Sequence, residues 1–515
     1  MSEIKSQKDA SADHVSTKVD SHDDVARNRT PATWAETFKE LGTRKHAVVA
    51  TLGCSMAPIL IGYDLTMIGS IIANDEFIKH FGRFDETLDV WVLPANRQLI
   101  WTIMQYVAAI ISAITAGVII DMFGRRTGFL TTVALTIIGT LIELFSPDWK
   151  VWIAAKLVMG AAMGFMQGTV QTYVSELAPV QIRGFMLSLF QTWITIGQLI
   201  ASCVLQGTAS VNGSWSWKAA VISQFGPAAI CLVVFLPLVP ESPYWYLLKG
   251  NVNKARAALE RIRRTEPDFD IDYEISSMQH LLDHQTPDNT EGTSYLDCFR
   301  GTNLRRTCTA CLIMLLQQLL GYPLCGNYLT YFLKLSGVND AFLITVIAII
   351  CSLFACITAF VLIEKVGRRP QMLWGTFGML ICLVAVSILG WVGVGTLANG
   401  RALATFCILW NMGYFLSVGT VGWTLLGELS TARLRAKTTA IGGMSTSVSN
   451  MGWSIAIPYL VNAEEAGLGP KAALIFLGLG GILGIVLFFI VPETKGKTYQ
   501  ELDELFEAGV PARKF

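Results

Sequence analysis

Charge is what this sequence has least of. Only 15% of its 515 residues are Asp, Glu, Lys or Arg, against about 25% in soluble domains, and the formal charges cancel to zero. With 52% hydrophobic residues and a mean hydropathy of +0.48, that deficit excludes a water-soluble globule. The missing net charge argues against a nucleic-acid partner, which favours a basic surface. The 11 cysteines build no metal centre. Cys54, Cys203, Cys231, Cys351, Cys356, Cys382 and Cys407 lie inside hydrophobic blocks. Cys308 and Cys311, spaced as CTAC, enter another such block with no histidine or second cysteine pair nearby, so packing is their reading. There is no P-loop and no nucleophile elbow, because GTVQT and GGMST lack the surroundings those motifs need. An enzyme is not expected, nor a metal or cofactor. No cleavable signal peptide is visible, because the first 46 residues are polar.

What is present is a series of long apolar blocks. A bilayer-spanning helix needs about 20 apolar residues, and backbone groups in lipid must bond internally, which makes such blocks helices. Spans are predicted near 47–73, 98–120, 128–146, 151–175, 185–209 and 218–239. Six more follow near 308–335, 340–363, 371–396, 402–427, 436–462 and 471–491. The fold class is an all-α membrane protein of twelve transmembrane helices in two six-helix halves. Residues 1–45 read as a disordered tail, 46–239 and 307–491 as the halves, 240–306 as a loop with short helices, and 492–515 as a closing tail. Within the loop, Ala255, Ala258, Leu259 and Ile262 mark one face of an amphipathic helix.

The loops between even and odd spans hold Arg125, Arg126, Arg183, Lys365, Arg368, Arg369, Arg433, Arg435 and Lys437, whereas the opposite short loops carry mostly single charges. By the positive-inside rule both termini and residues 240–306 are cytoplasmic, and a plasma-membrane location is expected. The halves also repeat. DMFGRR at 121–126 answers EKVGRR at 364–369, SELAPVQIRG at 175–184 answers GELSTARLRA at 427–436, and PESPYW at 240 answers PETKGK at 492. Repeats of six spans about an axis along the membrane normal place a substrate site between the halves.

GYD at 62–64, GxxxDxxGRR at 117–126, ELAPxxIRG at 176–184, PESPYW at 240–245, QQxxG at 317–321, GRR at 367–369 and PETKGKT at 492–498 fall in order. Together they resemble the sugar porter family of the major facilitator superfamily. RLRAKT at 433–438 and MQGTVQTYVSE at 166–176 look most like its fungal maltose permease and α-glucoside subgroup. The resemblance implies a secondary active transporter, a proton-coupled symporter of a sugar or glycoside working by alternating access. Its partners would be a small polar solute, protons and the bilayer, and it would act as a monomer. It also implies that Asp64, at the GYD position, carries the proton, next to an Arg early in span 4 that is here Lys156.

The residues support part of this directly. A charge inside a span is usually functional, although Asp64 also reads as a helix-packing acid and Lys156 as a side chain snorkelling to an interface. Gln191 and Gln198, seven apart, face one way on span 5 and suit hydroxyls; interhelical hydrogen bonding is the plainer alternative. Gln317, Gln318 and Tyr328 on span 7, Trp423 on span 10 and Asn450 on span 11 complete the candidate site. Gly321, Pro323 and Gly326 predict a broken span 7. Asp121, Arg125, Glu176 and Arg183 in one half, with Glu364, Arg368, Glu428 and Arg435 in the other, are expected to close the cytoplasmic side when they pair. Pro323 stands where the family has an Asn, and Thr446 and Ser447 where it has a Gln–Trp pair. A carrier of a non-sugar metabolite therefore stays open, while a nutrient sensor is disfavoured by the short tail of some 24 residues after Pro492. Asn212 in Asn-Gly-Ser is a candidate glycosylation acceptor in an external loop. A reporter active only outside the membrane, fused after Phe515, is expected to be silent; activity there overturns the count of spans.

Overall fold

The computed structural model describes residues 42–72, 74–85, 90–178, 183–208, 211, 213–263, 270–284, 295–327, 329–330, 333, 341–392, 396–431, 434–461, 468–497 and 499–515. The expected tail before residue 42, Asn212 and Tyr328 lie outside them. Among the described residues twelve rods cross the molecule, and ten are long and apolar enough to span a bilayer by themselves. Helix 1 runs Lys45–Ser55 and Pro58–Ile71, helix 2 Ala95–Phe123, helix 3 Arg125–Leu144, helix 4 Trp149–Leu177, helix 5 Arg183–Thr208, and helix 6 Trp215–Ile222 with Phe225–Leu238. Helix 7 is Gly301–Leu319 followed by a wide turn over Pro323–Asn327. Helix 8 is Ala341–Lys365, helix 9 Arg368–Leu389, helix 10 Leu397–Leu416 with Val418–Leu429, helix 11 Arg435–Val461 and helix 12 Ala473–Ile490. Helices 7 and 11 are the two outside that count of apolar spans among the described residues.

Most ends fall within a few residues of the apolar blocks. Two differ more: helix 7 starts at Gly301 rather than near 308, and helix 9 stops at Leu389 rather than near 396. The amphipathic run Gly301–Leu319 continues the helix past the apolar boundary, while Gly390 ends the other. The break in helix 7 follows Gly321, whose φ of +99° suits only glycine, and Pro323, which has no N–H to give.

Glycine sets how closely the rods approach. A Cβ on Gly62 of helix 1 would lie 1.9 Å from the Ile194 carbonyl oxygen of helix 5, and one on Gly197 would lie 2.1 Å from that of Ile59. Helix 4 meets helix 2 the same way, with a Cβ on Gly160 falling 2.0 Å from the Gln105 carbonyl oxygen. Backbones touching without side chains between them is how helices associate where the hydrophobic effect is absent.

The face holding the start of helix 1, the 243–299 linker and the chain end is here called basal, and the other distal. On the basal face the linker helices Pro243–Leu248, Val252–Arg263 and Ile271–His284 share a small core of Leu247, Ala255, Leu259, Ile275 and Met278. On the distal face a short helix, Asp75–Phe81, is capped by Asn74 and followed by an antiparallel pair of strands, Arg83–Asp85 and Val90–Val92. Its Phe77 and Phe81 sit among Trp101, Trp152 and Trp217, with ring centroids 5.1–6.0 Å apart. The sequence reading anticipated neither this aromatic cap nor the strands.

The crossing at Gly62 yields a test. Gly62→Ala overpacks two backbones, which costs about 1–3 kcal/mol, and is expected to lower the melting temperature of the solubilised protein by several degrees. Gly226→Ala in helix 6, where a Cβ meets nothing within 4 Å, leaves it unchanged or slightly higher. Equal melting temperatures for the two variants would contradict the close crossing.

Candidate coupling cluster and solute cavity

One turn below the aromatic cap lies a buried ionic cluster. Lys156, four residues after Trp152 on helix 4, points its ammonium between two carboxylates. Its Nζ is 3.2 Å from Asp64 Oδ1 of helix 1 and 2.6 Å from Glu143 Oε1 of helix 3. All three side chains are at most 8% exposed. Gln105 of helix 2, the residue at the Gly160 crossing, donates its amide to Asp64 Oδ2. Gln224 of helix 6 donates to Glu143 Oε2 at 3.3 Å and accepts from Thr140. Two carboxylates against one ammonium leave one net negative charge, and among the described residues no other cation pairs with either acid. The expected pairing of Asp64 with Lys156 is present in the geometry, but the second acid was missed. Its signal was in plain view, because Glu143 is a lone charge inside the apolar block 128–146, as Asp64 is in its own.

A cavity opens beside helix 1 where the halves meet. Gln191 and Phe190 of helix 5, Gln167 of helix 4, Gln317, Gln318 and Tyr322 of helix 7, Tyr414 and Trp423 of helix 10, and Thr446 and Asn450 of helix 11 line it, with Ile61 and Leu65 of helix 1. Gln198 lines an adjoining lobe with Tyr322, Asn327 and Asn411. The two lobes share Leu65 and Tyr322 as lining residues, with Gln191 on one and Gln198 on the other.

The side chains there are not equally free. Gln317 is held within its half, accepting from Tyr414 Oη at 3.2 Å and donating to the Val418 carbonyl at 3.4 Å. Its neighbour Gln318 leaves Oε1 without a hydrogen-bond partner among the described residues. Asn450 accepts from Asn327 at 3.4 Å. Trp423 packs on Phe190 across the halves with centroids 4.5 Å apart. The aromatic wall opposite is Tyr322 stacked on Tyr414 at 4.5 Å; neither was singled out, since a tyrosine in an apolar block carries no signal of its own.

On the basal face the repeated motifs build the same clamp twice. Arg125 pairs with Glu176 at 2.9 Å and with Asp121 at 3.4 Å, and Arg368 pairs with Glu428 at 3.0 Å and Glu364 at 3.2 Å. Glu241 accepts from the first backbone N–H groups of helix 3, and Glu493 from those of helix 9. Gly124 and Gly367 precede them with φ of +101° and +100°, and a Cβ on either would strike that carboxylate. Burial pushes the Glu241 carboxyl above its ordinary range, against the pull of its N–H donors. These ion pairs form inside each half. Each carboxylate is already engaged by an arginine or a helix start of its own half. Two members of the expected set reach the other half: Asp121 pairs with Lys437 at 3.2 Å, and Arg435 donates to Ser175 Oγ at 3.3 Å, beside Thr172 and Thr439 at 3.3 Å. The Arg183 side chain lies outside the described residues.

Comparison with known proteins agrees with this architecture. The family described as "Sugar (and other) transporter" matches residues 49–506. The major facilitator-type transporter ecdD of Aspergillus rugulosus is 29% identical over 463 residues, covering 87% of this chain and 85% of that one. The general alpha-glucoside permease of Saccharomyces cerevisiae is 26% identical over 475 residues, 89% of this chain and 74% of that one. Among solved structures, the proton:xylose symporter XylE from E. coli superposes with a TM-score of 0.74 at 22% identity, covering 90% of this chain and 99% of that one. Twelve helices, a solute cavity between two repeated halves and a family match along nearly the whole chain give one conclusion: the chain belongs to the sugar (and other) transporter family and has the major facilitator fold.

Proposed function

We propose that the protein carries a hydroxyl-rich small solute, a sugar or glycoside, through the amide-lined cavity in symport with a proton held by Asp64, Lys156 and Glu143. The basal face is cytoplasmic and the membrane the plasma membrane in this reading, in keeping with the arginines gathered there. Amides on helices 5 and 7 supply donors and acceptors to hydroxyls, and Trp423, Tyr322 and Tyr414 offer faces to a ring. Gln191, Gln198, Gln317, Gln318 and Asn450 are the residues assigned to the solute.

The observation that carries the coupling is the unbalanced charge. Enclosing a net charge away from water is expensive, so the sealed cluster is favoured with one proton on its two acids. When the distal cap or the helices around it part, water solvates the carboxylates and the proton can leave. Proton and solute are linked because both favour the same closed arrangement. A second reading, a non-sugar metabolite on the same scaffold, is favoured by Pro323, Thr446 and Ser447 and by the apolar wall of Ile61, Leu65 and Phe190.

Uptake of a panel of labelled sugars by cells lacking their own carriers, with and without an uncoupler, tests the reading. Accumulation of at least one sugar that the uncoupler abolishes is expected, and Gln318→Ala should raise the KM for that sugar about 2- to 10-fold, the value of one lost hydrogen bond. Transport of no sugar favours the second reading.

Charge balance makes a sharper demand on the cluster. Asp64→Asn leaves Glu143 with Lys156, and Glu143→Gln leaves Asp64 with Lys156; each is a neutral pair that closes without a proton. Both variants are expected to lose uphill accumulation and most of their pH dependence, yet to keep exchanging solute down its gradient. If Glu143→Gln still concentrates solute in an uncoupler-sensitive way while Asp64→Asn does not, Glu143 is structural and Asp64 acts alone.

A further inference from the structure

The inner face of helix 4 carries amides that neither the cavity nor the coupling cluster uses fully. Gln167 and Gln171 are four residues apart, and so share a face about 6 Å apart along the axis. They are 3% and 1% exposed. Gln167 lines the cavity, and Gln171 lies one turn nearer the basal face. Below them Thr172 meets Thr439 and Ser175 accepts from Arg435 at the contacts that join the halves. Gln171 therefore sits between the cavity floor and the basal gate.

Three of their amide atoms, Gln167 Oε1 and both Gln171 Oε1 and Nε2, have no hydrogen-bond partner among the described residues. Gln105, Gln318 and Gln371 also leave Oε1 unpaired, but among the described residues Gln171 alone leaves both ends of a buried amide without a partner. Gln317, just as buried, has both ends of its amide engaged, as buried interior amides normally do. A buried polar atom left unpaired is destabilising, so an apolar residue would serve packing better. Opposite these atoms the facing helices present glycine: a Cβ on Gly443 of helix 11 would lie 2.6 Å from Gln167 Oε1, and one on Gly427 of helix 10 would lie 3.7 Å from Gln171 Oε1. At these two positions the other half meets the amides with a glycine.

We propose that Gln167 and Gln171 form a second, basal-side subsite that takes the hydroxyl groups of the transported solute as it moves between the central cavity and the basal face. This rests on the reading of the carried solute as hydroxyl-rich. The solute leaves Gln191 and Gln318, meets the helix 4 amides as helices 10 and 11 withdraw, and is released when Arg435 and Lys437 part from helices 4 and 2. The subsite acts on one side of the cycle only. With the halves closed basally Gln171 is shut off from a solute arriving distally, whereas Gln167 is reached from both sides.

The test uses the purified full chain in proteoliposomes with labelled D-glucose and maltose as probes, entry being measured from each face in the absence of a proton gradient. Gln171→Leu is expected to raise the apparent KM for entry from the basal face about 3- to 10-fold, one or more lost hydrogen bonds, and to leave the distal KM within about twofold. Gln167→Leu raises both. Because Gln171→Leu removes unpaired buried polar atoms, its melting temperature should be equal or higher. Gln171→Asn, an amide one methylene shorter, keeps the fold if the leucine variant does not, and shifts the basal constant in the same direction by less. Unchanged constants in both Gln171 variants, or equal shifts from both faces with a lowered melting temperature, overturn the subsite and make Gln171 a packing or water-satisfied group. Failure of the wild type to move either sugar overturns the hydroxyl-rich reading, and the subsite with it, whatever the variants do.

Discussion

An ammonium held between two carboxylates inside a bundle of helices is an arrangement that a low-dielectric interior tolerates only when every other valence is satisfied. The remaining oxygens of Asp64 and Glu143 accept from Gln105 and Gln224, and Thr140 in turn supports Gln224. These groups come from helices 1, 2, 3, 4 and 6, so the cluster fixes the relative depth of five of the six rods in its half. The glycine crossings are what allow the reach. Gly160 brings helix 4 onto the backbone of Gln105, and Gly62, two residues before Asp64, brings helix 1 onto helix 5. A longer separation would leave the acids short of the ammonium, and breaking a buried pair by moving one partner is far costlier than never having built it.

The two halves are stiff for the same reason on the basal side. Arg125 with Glu176 and Arg368 with Glu428 are buried pairs inside one half, each anchored further by a carboxylate on a helix start. What joins the halves is lighter. Asp121, the partner of Lys437, is about one-third exposed, and exposed pairs are worth about 0–1 kcal/mol. Strong bonds within halves and weak ones between them are the condition for rigid-body rocking, in which an interface re-forms without either body deforming.

Hydropathy carried most of this architecture, because the bilayer imposes one requirement on every span and an apolar block meets it visibly. The repeated GRR and Glu motifs were equally legible, and so was the broken helix 7, since Gly321 and Pro323 act on the backbone locally. Pairing was harder. The spacing of Arg125, Glu176, Arg368 and Glu428 does not say whether an arginine turns to its own half or the other, and only the packing decides it. Glu143 could have been found by the reasoning that found Asp64. Phe77, Phe81, Trp101, Trp152 and Trp217 could not, because aromatics from four separate stretches of sequence reveal a cluster only once the helices that carry them converge. Tyr322 and Tyr414 became visible as a stacked wall for the same reason.

Helix 1 connects the parts. One stretch of it holds Asp64 against helices 2 and 4, while Ile61 and Leu65 on an adjacent face line the cavity. One turn further, Gly69 approaches helix 7 so closely that a Cβ would lie 3.1 Å from the Asn327 carbonyl oxygen, at the end of the wide turn. A rotation of this rod that loosens Asp64 from Lys156 therefore also moves the cavity wall and shifts the contact between the halves on the distal side. The turn after Ser55, before Pro58, divides this upper segment from Lys45–Ser55, which packs on helices 4, 5 and 6 and on the linker helix Val252–Arg263. In the proposed symport, proton and solute would not need to touch to be coupled; it would be enough that one short helical segment carries a face for each and that both faces favour the same position of it.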